Sequence, residues 1–407
     1  MDWKANSAPR DEAADAARFL SRLGYAVLAL AAPVGVVLHP LAVFLAYPIG
    51  VVLLAFAAAL DPPGSAGSRL KAVFSFPPVY LGLAWLGWSA LSLAWTPFPA
   101  PGVQRLIEQG AWTIALALAL SLTRSHARAT DLYLFPIGLL LLMAAILFAW
   151  IALRHGATVG AGRLEEGGLA LTVLLFPIMA GLAARARNGY ARLLMILTFV
   201  FVFVIGSTAG MIALFVGLAA LSFAISDVRR TARDLGWISA AIIALAPLAV
   251  IVAAPLARLT MNADLSTLDS PFPSLAYVFN VVEFDWARLI TGHGIATVDN
   301  GVHLGALPPE TPASALFQIW YEFGVVGAWL TAAGVWFAFR ALAGFPPRLA
   351  PYLAAAFATN LALGMIRVGF ADMVWTTLLA LALIASDVAA RSQYRTTRPT
   401  AENLASL

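Results

Sequence analysis

Six arginines stand apart from the other basic residues of this chain: Arg105, Arg154, Arg163, Arg258, Arg288 and Arg367. No lysine accompanies them. Arginine is planar, permanently charged and suited to forked contacts with phosphate, whereas lysine is a flexible point charge. Arg163 lies in GAGRLEEGG, where glycines allow a close turn before an apolar run. It is either a phosphate ligand aided by a following helix N-terminus or an ion-pair partner of Glu165 or Glu166. Arg288, in FDWARLITGHG, is open to the same choice with Glu283 or Asp285, and Arg367, in GMIRVGFAD, with Asp372. Arg105, Arg154 and Arg258 are accounted for by headgroup contact. The other singular charge is Glu322, in ETPASALFQIWYEFGVVG. A carboxylate among Trp320, Tyr321 and Phe323 is costly in hydrocarbon unless it is paired or has a chemical task. The first reading is a buried pair with an outer arginine, and acid–base chemistry is the alternative.

Other chemistries find less material. The chain has no cysteine and five histidines without H-x-x-x-H spacing, and it has neither a DxD sequence nor a Walker loop. Thiolate, zinc-site and ATP-pump readings are therefore disfavoured, and no cofactor or metal is expected. The net charge of +4 is spread over short loops, so no nucleic-acid partner is expected.

The elements that must position these charges are membrane helices. Of 407 residues, 61% are hydrophobic and 11% charged, with a mean hydropathy of +0.85. Apolar runs of about 18 residues or more read as membrane spans. Cut at charges and at Pro/Gly breaks, the chain gives an all-α integral membrane protein of about twelve spans, at 23–38, 40–60, 79–95, 107–122, 132–153, 168–185, 193–206, 210–225, 235–256, 314–339, 349–366 and 371–388. His39-Pro40 makes the first break a thin one, compatible with a kink. Placing the N-terminus in the cytoplasm puts all 25 Lys and Arg except the six arginines above on that side, which favours N-in, C-in. The segments are then a cytoplasmic tail 1–22, helices over 23–256, a large periplasmic loop 257–313, helices over 314–388 and a cytoplasmic tail 389–407. No cleaved signal peptide is expected. The 257–313 loop is far longer than the others and contains Tyr277, Phe279, Trp286 and Leu289, so it is expected to pack as a cap on the outer face. Ser207 and Thr208 sit at a short turn where helix capping is the default.

Three stretches, in this order and topology, resemble the O-antigen ligase and O-antigen polymerase superfamily of bacterial membrane glycosyltransferases. GRLEEGGLALTVLLFP is similar to the family's outer-loop arginine followed by a span. RLITGHGIATV is similar to its arginine and Gly-x-Gly turn. ASALFQIWYEFGVVGA resembles the pattern His-Asn-x-x-Leu-Gln-x-x-x-Glu-x-Gly-x-x-Gly. The resemblance covers about residues 80–385. It implies transfer of glycan from an undecaprenyl-diphosphate carrier at the periplasmic face of the inner membrane, with inversion and without a metal. Arg163 and Arg288 match the diphosphate-binding arginines, with Arg367 as a third candidate. Gln318 and Glu322 match the family Gln and Glu, and Gly324 and Gly327 the closing glycines.

The departure lies nine residues before Glu322. Ala313 stands where many family members have the histidine assigned as base or acceptor-orienting group, and Ser314 replaces the asparagine. A base would then come from His303, Glu310 or Asp299, or attack would need none because the leaving group departs first. Expected partners are the lipid-linked glycan donor, a glycan or lipid-core acceptor, membrane lipids and other polysaccharide assembly proteins. The competing readings are a transporter of a lipid-linked glycan and a non-catalytic relative in an assembly complex. Few mid-depth charges mark a transport path.

Overall fold

The computed structural model describes residues 12–60, 77–122, 129–155, 161–261, 273–370 and 372–391. These residues are helical, without strands, and nine of the helices are long and apolar enough to cross a membrane. Val79–Ala94 and Ala350–Ile366 are shorter apolar helices. In chain order the α-helices are α1 (Glu12–Ala26), α2 (Ala32–Leu38), α3 (Pro40–Ala59), α4 (Pro77–Leu91), α5 (Pro99–Leu122), α6 (Ala129–Arg154), α7 (Ala161–Ala184), α8 (Asn188–Ile205), α9 (Thr208–Ser226) and α10 (Val228–Met261). They continue as α11 (Pro273–Phe284), α12 (Arg288–Thr291), α13 (Thr297–His303), α14 (Ala315–Leu342), α15 (Ala350–Ile366) and α16 (Met373–Arg391).

Each apolar run of the sequence lies on a helix, and the breaks have local causes. Between α2 and α3, His39 is extended and its Nδ1 accepts from Leu41 N at 3.2 Å, with Pro40 opening the next helix. Before that break, α1 and α2 are joined through a π-helical turn, Val27–Ala31. Ser207 caps α9 by accepting from Gly210 N, as its position between two apolar runs suggests. The largest shifts of a boundary are at the starts of α1, at Glu12 where the apolar run begins near residue 23, and of α5. The α5 run starts near residue 107, but the helix starts at Pro99, a residue suited to a first turn. Arg105 is therefore a helical residue, and it is buried.

The bundle is organised around α7, which has 89% of its apolar window buried. Its LALTVLLFPIMA stretch is apolar all round, as a helix enclosed by others requires. Around it the outer helices expose large apolar side chains: Phe148 is 71% exposed, Phe203 72% and Val252 68%. Such surface on long apolar helices is the surface of an integral membrane protein facing lipid. The long 257–313 segment contains α11, α12 and α13, with residues 262–272 outside the described part. The C-terminal tail from 392 and the first eleven residues also lie outside it.

Candidate functional site

Among the described residues, the start of α14 carries a densely bonded buried polar cluster. Ser314 Oγ accepts from Phe317 N and caps the helix, and Ala315 N donates to Val368 O at 2.9 Å. Gln318 and Glu322 lie one helical turn apart on the same buried face, each 1% exposed. Glu322 is eight residues past the cap, about 12 Å along the axis at ~1.5 Å per residue. Its partner is Arg105. Arg105 Nη1 donates to Glu322 Oε1 at 3.1 Å and to Oε2 at 3.0 Å. Val298 N, at the start of α13, donates to Glu322 Oε1 at 3.0 Å. Arg105 Nη2 donates to Asp299 Oδ2, and Gln318 Nε2 donates to Asp299 Oδ1 at 3.2 Å. Gln318 Oε1 in turn accepts from Phe370 N at 2.7 Å. One guanidinium thus serves two carboxylates, and one carboxamide ties the second carboxylate to the α15–α16 connection.

A break in α14 makes room for this arrangement. Gly324 has φ 64 and ψ −158, a conformation open essentially to glycine alone. A Cβ there would lie 2.5 Å from Ile290 O and 2.6 Å from Gly292 N. The carbonyls freed by the break are taken up by the Gly-His-Gly turn and by α4. Tyr321 O accepts from His293 N at 2.8 Å, Glu322 O from Gly294 N at 2.9 Å, and Phe323 O from Trp88 Nε1 at 2.9 Å. Backbone groups buried without water need such partners. The His293 ring stacks on Tyr321 at 4.0 Å, with Nδ1 3.0 Å from Tyr321 O and Nε2 2.7 Å from Asp285 Oδ2. Gly327 is buried against Phe323.

Beside this network opens a cavity of about 210 Å³, lined by Gly162, Glu165, Glu166, Leu169, Asp299, Ala313, Gln318, Arg367, Val368, Gly369 and Asp372. The N-terminal ends of α7, α14 and α16 meet there. Asp372 Oδ1 accepts from Trp375 N at 3.0 Å and so caps α16. Arg367 Nε lies 3.4 Å from Glu165 Oε1, and both side chains are about half exposed. Glu166 Oε2 is buried without a hydrogen-bond partner among the described residues. A second cavity of about 220 Å³, lined by Pro101, Gln104, Arg105, Glu108, Gln109, Ala296, Asp299, Asn300, Phe370 and Met373, lies on the other side of Asp299. Among the described residues no group of three His, Cys, Asp or Glu is placed to hold a metal ion.

The candidate residues separate in space. Asp299, Gln318 and Arg367 line the first cavity together with Ala313. Glu322 supports that wall from behind. Of the three candidate bases, Asp299 alone lines either cavity described here. His303 is exposed at the end of α13, and Glu310 contributes its carbonyl to Ser274 Oγ at 2.7 Å. Arg163 donates to Leu38 O at 2.7 Å, and Arg288 is exposed on α12; neither lines the cavity. The pairings also differ from those the sequence suggests. Asp285 is taken by His293 rather than Arg288, and Arg367 meets Glu165 rather than Asp372. Arg105, which sequence reasoning assigns to headgroup contact, is instead the buried partner of Glu322. The signal for it is the Q-R-x-x-E-Q run (Gln104, Arg105, Glu108, Gln109), a polar stripe on a helix that continues into apolar sequence.

No family model, no curated protein and no solved structure matches the chain.

Proposed function

We propose that the protein is a glycosyltransferase of a bacterial inner membrane, with twelve spans and both termini in the cytoplasm, that transfers or polymerises glycan from an undecaprenyl-diphosphate carrier at the periplasmic face. The observation that carries this reading is the Arg367 cavity. It is lined by the Arg367 guanidinium, the carboxylates of Glu165, Glu166, Asp299 and Asp372, the Gln318 carboxamide and the Ala313 position. Arg367 is the group here that favours a phosphate-bearing ligand, since the α14 and α16 N-termini are already capped by Ser314 and Asp372. The family-matched positions Ala313 and Gln318 share one wall with Arg367, which supports the resemblance drawn from the sequence, while Arg163 and Arg288 lie away from it.

In this reading the diphosphate draws Arg367 away from Glu165, an exchange between partly exposed groups that costs little. The acceptor hydroxyl oxygen attacks the anomeric carbon of the donor sugar, and the bond from that carbon to the diphosphate oxygen breaks. The bonding electron pair leaves with the diphosphate, whose growing charge is met by Arg367. The hydroxyl proton passes to Asp299. That carboxylate is 38% exposed, and its contacts with Arg105 and Gln318 leave further lone pairs for a substrate proton. Asp299 therefore takes over the task of the histidine that Ala313 lacks. The test supplies purified protein with lipid-linked glycan and candidate acceptors and follows chain length. Repeated addition indicates a polymerase and a single addition to a lipid core a ligase. Movement of the lipid across vesicles without new bonds contradicts the enzyme reading.

A further inference from the structure

In the sequence, the stretch from α11 to α13 reads as part of a cap above the membrane, but its anchoring places it lower. Arg340 lies in the last turn of α14, and a span of about 20 residues counted back from it ends near residue 320. Tyr321, Glu322 and Gly324 are therefore at the edge of the hydrocarbon. The 289–294 turn is fixed at that level, since His293 N donates to Tyr321 O, Gly294 N donates to Glu322 O, and Ile290 O packs against Gly324. The neighbouring Val79–Ala94 helix gives the same depth. Ile295 N donates to Ser92 Oγ at 3.1 Å and Ile295 O accepts from Thr96 Oγ1 at 2.8 Å, both at the end of that apolar helix. At this depth the stretch turns apolar side chains outward. Phe284 is 76% exposed, Trp286 64% and Ile290 53%, and none of them lines either cavity. Its backbone is self-sufficient. The amides of Asp285, Arg288, Leu289, Ile290 and Gly292 donate to the carbonyls of Val281, Asp285, Trp286, Ala287 and Arg288 in turn. Backbone exposed to lipid must be bonded in this way, because no water is there to do it. Of the charged side chains, Asp285 is held by His293, and Glu283 and Arg288 are exposed and long enough to reach the headgroup layer. Tryptophan favours that layer, and arginine is a forked partner for its phosphates.

We infer that residues 284–290, from the end of α11 into α12, form a lip inserted into the leaflet on the cavity side, with bilayer phospholipid as its partner. Phe284, Trp286 and Ile290 enter the acyl-chain boundary, and Arg288 meets the headgroup phosphates. The inference needs only the apolar bundle and holds whether or not the protein transfers glycan. It makes the bilayer a clamp on the 289–294 turn, and through that turn on the break at Gly324 beside the Arg105–Glu322 pair.

The chain has no cysteine, so single cysteines can be introduced and labelled without background. Nitroxide labels at Phe284→Cys and Ile290→Cys test the lip in the full chain, reconstituted into vesicles of phosphatidylethanolamine and phosphatidylglycerol. Phe215→Cys, at an exposed position midway along α9, is the lipid reference, and His303→Cys, at the exposed end of α13, the water reference. Power-saturation electron paramagnetic resonance reads collisions with oxygen, which concentrates in hydrocarbon, and with a water-soluble nickel chelate. The labels at 284 and 290 are expected to meet oxygen more than nickel, as at 215, with the order reversed at 303. Nickel exceeding oxygen at either 284 or 290 overturns insertion. Few collisions with both reagents there mean that a protein surface, a second copy or another chain, covers the stretch, and this equally overturns the phospholipid assignment. Should one labelled variant not fold, Ala287→Cys on the same exposed stretch replaces it with the same expected result.

Discussion

Arg105 Nη1 reaches both carboxylate oxygens of Glu322, at 3.1 and 3.0 Å, across 217 residues of sequence. The pair joins α5 to the first half of α14, with the Arg105 side chain 10% and that of Glu322 1% exposed. Removing one partner strands the other charge, and in buried pairs this costs about 3–5 kcal/mol. Arg105→Ala and Glu322→Ala are each expected to lower the yield and the melting temperature of detergent-solubilised protein. The double substitution Arg105→Met with Glu322→Leu is expected to recover much of both, since apolar replacements of buried pairs are often tolerated. Thermal unfolding of the three variants checks this. A Glu322→Ala protein with normal stability and abolished transfer would move Glu322 from support to chemistry.

Gly324 is the second structural commitment. At φ 64 and ψ −158 any Cβ is strained, and here it would also run into Ile290 O and Gly292 N. Gly324→Ala is expected to cost about 1–3 kcal/mol from backbone strain alone, with more from displacing the 289–294 turn. Faster hydrogen exchange at His293 and Gly294 is the specific signature, because their amides bond to α14. Wild-type exchange at both amides would show that the break does not depend on glycine.

His293 holds the same turn through its ring. It stacks on Tyr321 and bridges Tyr321 O to Asp285. His293→Ala keeps the amide bond but loses the bridge. The variant is expected to fold, with protease cleavage appearing in the 285–304 segment under conditions where the wild type resists it. An unchanged cleavage pattern would assign the docking of this segment to backbone contacts alone.

Arg367 and Glu165 provide a test in which one substitution strengthens what the other weakens. Exposed pairs of this kind are worth about 0.2–1 kcal/mol. Glu165→Gln frees Arg367 and is expected to tighten inorganic pyrophosphate binding by up to about fivefold. Arg367→Ala is expected to weaken it. Isothermal titration measures both, and equal affinities in the three proteins would detach Arg367 from phosphate binding.

Much of the fold is legible in the sequence because lipid leaves so few options. A backbone in hydrocarbon must bond within itself, so an apolar run between charged or Pro/Gly breaks becomes a helix. The apolar runs fall on helices, nine of which are long and apolar enough to cross a membrane, and Ser207 caps α9 where its sequence position suggests. The site was legible only in part. Gln318, Glu322 and Gly324 announce themselves as polar or permissive residues in apolar sequence. Their partners do not, because they come from elsewhere in the chain. Hydropathy starts the α5 run near residue 107, just after Arg105, although Pro99 starts the helix eight residues ahead of that limit. Asp299 looks like one of several loop carboxylates until α13 brings it between Arg105 and Gln318. Arg163 and Arg288 have the right residue type, but the backbone points their positions to Leu38 and to solvent.

The account turns on Asp299 as the group that receives the acceptor proton. The direct measurement is product formation from lipid-linked glycan by wild-type protein and by Asp299→Asn, which keeps a hydrogen-bond acceptor for Arg105. Loss of a positioned base slows such reactions by about 10²–10⁴-fold. The expected result is transfer by the wild type and a loss of this size in Asp299→Asn at unchanged melting temperature, with His303→Ala and Glu310→Gln retaining transfer. Full transfer by Asp299→Asn, or none by the wild type with any lipid-linked donor, would contradict it.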